Sequence, residues 1–239
     1  MAAKLYGHRG ALGERPENTL EGFHHAKAIG VTGIETDIVL TRDLVPVLHH
    51  DLFLPDGRAI KSLDAAELPS TIPTLQQVLS EVRDIDWLLE IKTNPSQPQH
   101  TFPAPVIVEQ VLKNLAGVDW SRLRIWAFEW SVLREVEKQA PGLRRVCIAG
   151  KEANTPEGRN LWWGRGYEDR NISDAVASTG AHGRASFHAT WGEKEILHAK
   201  SLGLEVFACI LNEVEDFERL SPLADGIITD YPSRFLTQL

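Results

Sequence analysis

The chain has few of the residues that indicate secretion or a membrane. It contains only two cysteines in 239 residues, Cys147 and Cys209. Two are too few for a disulfide framework, and both lie in apolar strand-like runs, where a free thiol packs as a small apolar side chain. No apolar stretch approaches the roughly 18 residues of a membrane-spanning helix, and a strand begins too early to leave room for a signal peptide. We therefore expect a soluble, reduced, cytoplasmic protein without stable membrane association.

Positive charge is also scarce. The chain has 25 Lys and Arg residues and 33 Asp and Glu residues, which gives a formal net charge of -8. Nucleic acids and anionic membrane surfaces are bound mainly by fields of Lys and Arg. The composition therefore argues against a nucleic-acid partner, and an anionic substrate would need local positive charge at its site.

The glycine-rich fingerprint of dinucleotide-binding folds is absent after the first predicted strand. The sequence there, residues 8–13, reads His-Arg-Gly-Ala-Leu-Gly and leads to Pro16 instead of a helix. A helix is predicted slightly later, over Leu20 and Phe23, with Asn18 as its N-cap and Glu21 as the reciprocal capping partner. An open, doubly wound nucleotide-binding sheet is therefore disfavoured.

Short strand-like runs alternate with helical periodicity along the whole chain. Eight strands are predicted, near residues 4–8, 33–39, 87–91, 124–128, 143–149, 183–188, 205–211 and 225–229, and helical spacing appears over 75–82 and 108–115. Strict alternation of strand and helix predicts a parallel sheet. Eight units in a chain near the roughly 250 residues typical of such folds predict a closed TIM (β/α)8 barrel, with residues 1–239 as a single domain.

Charged pairs at strand spacing point to a metal site. Glu35 and Asp37, and likewise Glu90 and Lys92, are separated by one residue within apolar runs. Residues i and i+2 of a strand face the same side, so these charges face one interior. Buried carboxylates require partners or a cation. An ion-pair network of Glu90 with Lys92 and Asp37 with Arg9 is the alternative, but three acids exceed two cations, which favours a divalent metal.

Two histidines end strand-like segments near these acids. His8 follows the first strand, and His50 follows the run Val45-Pro46-Val47-Leu48. The C-terminal strand ends carry the active sites of TIM barrels. Two longer connections, residues 51–73 and 150–171, leave strands at the same end. The second contains Trp162 and Trp163 and is either a rim that covers the substrate or an ordinary solvated loop.

The residues in these positions belong to a larger ordered set. It comprises His8-Arg9-Gly10, Pro16-Glu17-Asn18-Thr19, Glu35-Thr36-Asp37, Thr41-Arg42-Asp43, His50-Asp51, Glu90-Ile91-Lys92 and Gly226-Ile227-Ile228-Thr229-Asp230-Tyr231-Pro232. This set, which runs from residue 7 to residue 232, resembles the glycerophosphodiester phosphodiesterases. The resemblance implies a TIM barrel that uses one divalent metal ion to hydrolyse glycerophosphodiesters to glycerol 3-phosphate and an alcohol.

The resemblance also implies roles for individual residues. Glu35, Asp37 and Glu90 correspond to the metal ligands, and hard oxygen ligands suit Mg²⁺ or Ca²⁺. Arg9 and Lys92 correspond to the cations that bind the substrate phosphate. His8 and His50 correspond to the catalytic histidines, and by analogy with related barrel phosphodiesterases we expect His8 as the base and His50 as the acid.

Two segments differ from the family pattern. The family commonly ends its seventh strand with Trp-Thr-Val-Asn, where residues 209–212 read Cys-Ile-Leu-Asn. The loop after His50-Asp51 is shorter and differently charged. With no aromatic wall from Cys209, we expect a pocket that is wider or that is filled from the 150–171 loop through Trp162 or Trp163, which would then select the substrate.

Two other functions compete with this interpretation. One is a barrel phospholipase or lyase that forms a cyclic phosphate from a phosphodiester lipid. Such an enzyme needs an apolar membrane-docking rim, and residues 55–61 and 155–170 are mostly polar. The other is a noncatalytic barrel that binds a ligand, although retention of both histidines and all three acids argues against it.

Overall fold

The computed structural model describes residues 3–236, and their strands form a closed barrel. The strands are β1 (Lys4–Gly7), β2 (Gly33–Leu40), β3 (Pro46–Leu48), β4 (Asp86–Ile91), β5 (Leu123–Ala127), β6 (Arg144–Ala149), β7 (Gly183–Phe187), β8 (Glu205–Cys209) and β9 (Gly226–Thr229). All except β3 pair in parallel, and β1 pairs with both β9 and β2 to close the ring. The predicted TIM (β/α)8 barrel is confirmed.

Helices separate successive barrel strands. They are α1 (Leu20–Ile29), α2 (Leu75–Glu81), α3 (Ala104–Asn114), α4 (Trp130–Gln139), α5 (Pro156–Trp162), α6 (Ile172–Ser178), α7 (Glu193–Ser201), α8 (Val214–Leu220) and α9 (Pro232–Phe235). The helical spacing over 75–82 and 108–115 corresponds to α2 and α3. Strand β3 is the short extension of β2, which it pairs in an antiparallel register with Ile38 opposite Leu48.

The prediction that Asn18 caps α1 is wrong. Thr19 is the N-cap, and its hydroxyl accepts a hydrogen bond from the backbone N–H of Gly22 at 3.1 Å. Asn18 instead has a left-handed backbone with φ of 52°, and its side chain is directed at Asp37 of β2. The predicted capping partner Glu21 forms an ion pair with Arg15 at 3.7 Å.

Apolar side chains occupy two separate layers. The larger core lies between the strands and the helices, and a smaller cluster fills the barrel itself. That inner cluster includes Tyr6, Trp126 and Phe207, and two glycines make room for its rings. A Cβ atom at Gly33 would lie 2.5 Å from the Tyr6 ring, and one at Gly226 would lie 2.5 Å from the Phe207 ring. The packed interior supports the polar residues at the C-terminal strand ends.

Both cysteines are free thiols, as predicted. Cys147 is buried in β6, and Cys209 ends β8 and packs against the inner cluster. Within residues 3–236, no helix combines the length and the apolar composition needed to cross a membrane.

Candidate active site

Three carboxylates meet inside the C-terminal end of the barrel. Glu35 and Asp37 belong to β2 and Glu90 belongs to β4, and the register of these neighbouring strands places Asp37 opposite Glu90. The residues are 3%, 1% and 8% exposed, and one oxygen from each lies within 4.8 Å of the others. The structure therefore brings together the three acids that the sequence predicts as a cluster.

Two cations contact this cluster. The Lys92 Nζ lies 2.7 Å from a Glu90 oxygen and 3.2 Å from an Asp37 oxygen. The Arg9 Nε lies 3.5 Å from Asp37, and its Nη1 donates a hydrogen bond to Glu17 at 2.8 Å. Both predicted phosphate-binding cations therefore lie beside the carboxylates.

The alternative ion-pair network forms, but it leaves Glu35 unneutralised. Among residues 3–236, the one ionisable side chain paired with Glu35 is His8, whose Nε2 lies 3.8 Å from the carboxylate. The backbone N–H of Arg9 donates to Glu35 at 3.1 Å. Burial, with the charges of Asp37 and Glu90, raises the pKa of Glu35 well above its usual range. Three hard oxygen donors with excess negative charge fit a divalent cation.

The neighbouring groups differ in how strongly they are neutralised. Burial would raise the pKa of Asp37, but Lys92, His50 and Arg9 lower it below its usual range. Burial raises the pKa of Glu90 despite the nearby Lys92 charge. Burial opposes the charge on Lys92, yet Glu90 and Asp37 raise the pKa of that amine. Lys92 therefore stays protonated and available to an anion.

Asn18 holds Asp37 in place. Its amide nitrogen donates to the Asp37 carboxylate at 3.0 Å, and its oxygen accepts from the Thr36 hydroxyl at 2.7 Å. Asn18 is only 3% exposed. Sequence reasoning missed this role because the residue's position before a helix suggested a cap.

His8 is held by residues from the last two strand ends. Its Nδ1 lies 2.5 Å from an Asp230 oxygen, and the other Asp230 oxygen accepts a hydrogen bond from the Asn212 amide at 2.6 Å. Asp230 and Asn212 both lie within the motifs named above, but nothing in the sequence predicts that they contact His8. Their proximity to His8 depends on the pairing of β1 with β9, which closes the barrel.

His50 follows strand β3, two residues beyond Leu48. Its Nδ1 lies 2.8 Å from the adjacent Asp51 carboxylate, and the ring lines an open cavity. Burial and the Lys92 charge lower the pKa of His50 below its ordinary value. His8 and His50 therefore belong to the ends of different strands, β1 and β3.

The cavity beside His50 has a volume of about 1170 Å³ and extends from Lys92 and Glu90 across the ends of β5, β6 and β7. Aromatic side chains form much of its wall, namely Phe53, Phe128, Trp162 and Phe187. Phe187 is 54% exposed at its rim. The polar composition of residues 55–61 and 155–170 disfavours a lipid substrate, but apolar side chains from the strand ends and from residues 52–55 reach this rim.

The two tryptophans of the 150–171 connection have different environments. Trp162 lines the cavity and contacts Phe128 edge to face, with ring centroids 6.3 Å apart. Trp163 is fully buried and stacks on Trp130 at 4.2 Å. The expectation that Trp163 could line the pocket is therefore wrong, because its ring completes the core between helices. Cys209 is not among the residues that line the cavity, whereas Trp162 is, so Trp162 is the residue of this connection that we still expect to line the substrate pocket.

Fold and site together define a TIM barrel whose C-terminal strand ends carry a carboxylate cluster, two cations and two histidines, with a cavity beside them. The model of the glycerophosphoryl diester phosphodiesterase family matches residues 8–234. The chain belongs to this family, and it is therefore a phosphoric diester hydrolase. The alternative of a noncatalytic barrel is set aside.

Individual relatives agree with this assignment over nearly the full chain. A glycerophosphodiester phosphodiesterase from Bacillus altitudinis is 46% identical over 97% of this chain and 96% of its own length. One from Caldanaerobacter subterraneus is 27% identical, with coverage of 99% and 97%. A solved structure of an Oleispira antarctica phosphodiesterase, in complex with the product sn-glycerol-3-phosphate, is similar in fold, with a TM-score of 0.81, 20% identity and coverage of 99% and 96%.

Proposed function

We propose that this protein is a metal-dependent enzyme, folded as one domain over residues 1–239, that hydrolyses glycerophosphodiesters to glycerol 3-phosphate and an alcohol. The observation that carries the proposal is the unneutralised Glu35 within a buried set of three carboxylates. The Oleispira antarctica relative with bound sn-glycerol-3-phosphate supports this product for the family's fold.

Glu35, Asp37 and Glu90 would hold one divalent metal ion, Mg²⁺ or Ca²⁺, because their ligand atoms are all carboxylate oxygens. When bound, such an ion acts as a Lewis acid toward a phosphoryl oxygen. The protein itself brings the three carboxylate oxygens close together, and Asn18 holds the Asp37 side chain through a hydrogen bond.

Arg9 and Lys92 bind the remaining phosphate oxygens. The Arg9 guanidinium is planar and can donate two parallel hydrogen bonds, while Lys92 adds a compact positive charge. Glu17, the partner of Arg9, is partly exposed, with a side-chain exposure of 37%. At Arg9 Nη1 a phosphodiester therefore competes with the partly exposed Glu17 carboxylate, while Nε stays beside the buried Asp37.

The two histidines divide the proton transfers. His8, whose Nδ1 contacts Asp230, has its Nε2 free toward the carboxylate cluster, as a base requires. His50 lines the large cavity, where a departing alcohol has room, as the acid that protonates it requires. Each transfer typically contributes about 10² to 10⁴ in rate.

A phosphodiester lipid is the second candidate substrate. The half-exposed Phe187 and the aromatic wall of the cavity favour it, because apolar surface at a cavity mouth can accept a lipid chain. Small glycerophosphodiesters rank first because the family model and the relatives that match nearly the whole chain are described as glycerophosphodiester phosphodiesterases. We also propose a cytoplasmic location and no nucleic-acid partner, on the basis of composition.

A substrate panel tests the proposal. Purified protein is treated with a chelator, Mg²⁺ or Ca²⁺ is restored, and release of the headgroup alcohol is measured with glycerophosphocholine, glycerophosphoethanolamine and a lysophospholipid. Glycerol 3-phosphate is measured as the second product of the two water-soluble diesters. We expect no release without metal and release from at least one water-soluble diester with it. Turnover of the lysophospholipid alone would favour the lipid alternative, and metal-independent release would contradict the proposed metal role.

A further inference from the structure

The C-terminal motif around Asp230 places a fixed hydrogen-bond relay behind His8. Asp230 contributes one carboxylate oxygen to His8 Nδ1 at 2.5 Å and the other to the Asn212 amide nitrogen at 2.6 Å. Burial opposes the charge of Asp230, but hydrogen bonds from His8 and Asn212 lower its pKa below the usual value. Asp230 is therefore an ionised carboxylate that can only accept hydrogen bonds.

The orientation of Asn212 is fixed from behind. Its side-chain oxygen accepts hydrogen bonds from the backbone N–H of Asp230 at 3.0 Å and from the Thr229 hydroxyl at 3.1 Å. Thr229 is fully buried in β9. With its oxygen held by these two donors, Asn212 must present its NH₂ group to Asp230.

This relay determines which ring nitrogen of His8 carries the hydrogen. A carboxylate at Nδ1 requires that Nδ1 donate, so the neutral ring has its hydrogen on Nδ1 and a lone pair on Nε2. Nε2 is the nitrogen that faces the carboxylate cluster, 3.8 Å from Glu35. We propose that Asp230, oriented by Asn212, is a positioning residue that keeps His8 in the tautomer and orientation needed to accept a proton at Nε2. The catalytic consequence rests on the proposed function, whereas the tautomer does not.

Replacement of Asp230 by Asn gives a specific prediction, because one amide cannot satisfy both neighbours. Asn212 needs an acceptor, so the oxygen of the new amide should face Asn212 and its NH₂ group should face His8 Nδ1. Nδ1 must then accept, and the hydrogen moves to Nε2. His8 would keep its position but lose its ability to accept a proton there.

The test combines three variants, Asp230→Asn, Asn212→Ala and the double variant, with three measurements. Nitrogen-15 NMR of histidine-labelled protein, recorded over a series of alkaline pH values, reports which ring nitrogen of His8 carries the hydrogen, with His8→Gln used for assignment. Steady-state kinetics with the best glycerophosphodiester report kcat and KM separately. Magnesium affinity, measured by calorimetry, reports whether the carboxylate cluster is intact.

We expect Asp230→Asn to shift the His8 hydrogen to Nε2 and to lower kcat by about 10²-fold, with little change in KM or magnesium affinity. Asn212→Ala alone should lower kcat less, because Asp230 still accepts from His8. In the double variant the new amide is free to rotate its oxygen toward His8, so kcat should be higher than in Asp230→Asn alone.

This recovery of kcat in the double variant distinguishes a positioning role from a purely structural one. If the two residues were only structural, the losses in kcat from the two substitutions would add. Retention of the Nδ1–H tautomer in Asp230→Asn, or a double variant slower than either single variant, would overturn the proposal. Absence of all diester hydrolysis by the wild-type protein, together with the expected tautomer shift, would contradict the proposed function and leave the positioning role of Asp230 supported.

Discussion

Glu35 should make the stability of the metal-free protein depend on pH. Its pKa is raised in the folded state by burial and by Asp37 and Glu90. The folded state therefore holds the Glu35 proton more tightly than the unfolded state, and this contribution to stability is lost as pH rises from the unfolded pKa of about 4.3 through the folded value.

Glu35→Gln removes this titration while keeping the side-chain shape. Without metal, we expect the variant to unfold at a higher temperature than the wild type at neutral pH, and the difference to shrink as pH falls toward 4. Thermal unfolding at several pH values in the presence of a chelator measures it. A variant that is less stable than the wild type at neutral pH would show that Glu35 is already neutralised within the protein.

Removal of either histidine should affect proton transfer more than binding. We expect His8→Ala and His50→Ala each to lower kcat by about 10² to 10⁴, with smaller changes in KM. A substrate whose leaving group needs no protonation, such as a nitrophenyl diester, should rescue His50→Ala more than His8→Ala. If this substrate rescued His8→Ala instead, His8 would be the acid and His50 the base. If either variant kept nearly full activity, that histidine would have no part in proton transfer.

At the scale of elements, the strands are the most predictable part of the fold. Each predicted run corresponds to a barrel strand, with ends that differ by a residue or two, because every strand is buried on both faces and is bounded by polar loops. The run 124–128, for example, corresponds to Leu123–Ala127. Within the predicted site, Glu35, Asp37, Glu90 and Lys92 were identifiable because i, i+2 spacing in a strand determines the face.

Two kinds of contact could not be predicted from the sequence: those that form only when the barrel closes, and those that depend on which face of a short helix is buried. His8 and Asp230 are 222 positions apart in the sequence and meet because β1 pairs with β9. Trp162 ends the seven-residue helix α5 and Trp163 is its C-cap, and so short a helix does not reveal its buried face from spacing. Adjacent helical residues differ by about 100° in direction, so one ring lines the cavity and the other packs in the core.

Trp162 should influence the choice of substrate. Trp162→Ala removes part of the aromatic wall, so we expect a higher KM or an altered preference among diesters with different alcohols, while metal affinity is unchanged. The matched control is Trp120→Ala, because Trp120 is exposed and precedes β5 at the opposite end of the barrel. Measurement of kcat and KM over the substrate panel tests this. Identical values for Trp162→Ala and the wild type would show that the 150–171 connection does not influence the choice of substrate.

Trp163 requires a different expectation from its neighbour. Its ring is buried and stacks on Trp130, so Trp163→Ala should destabilise the fold by about 3 to 5 kcal/mol. A substitution of both tryptophans would therefore mix a loss of stability with a change in the cavity, and single variants are needed to separate them.

In the whole molecule, the residues that stabilise the barrel are different from those that form the candidate active site. The inner apolar cluster and the core between strands and helices hold the strands, whereas the acids occupy one end of the interior and repel one another. A ligand that relieves this repulsion binds only the folded state and therefore stabilises the entire domain.

Metal addition should accordingly raise the unfolding temperature. At a free metal concentration of 100 times Kd, binding adds about 2.7 kcal/mol, which for a domain of this size corresponds to roughly 5 to 10 °C. Calorimetry with Mg²⁺, Ca²⁺ and monovalent ions measures the shift. Glu35→Gln is the control and should show little of it, and an equal rise in the variant would place the stabilising ion elsewhere.

The most direct test is the position of the ion itself. Crystals soaked in Mn²⁺, which takes oxygen ligands and scatters anomalously, should show one anomalous peak within about 2.0 to 2.6 Å of oxygens from Glu35, Asp37 and Glu90. The same soak of Glu35→Gln crystals should give a weak peak or none. A wild-type crystal without a peak at these three carboxylates, or with its only peak elsewhere, would contradict the metal site on which the proposed hydrolysis depends.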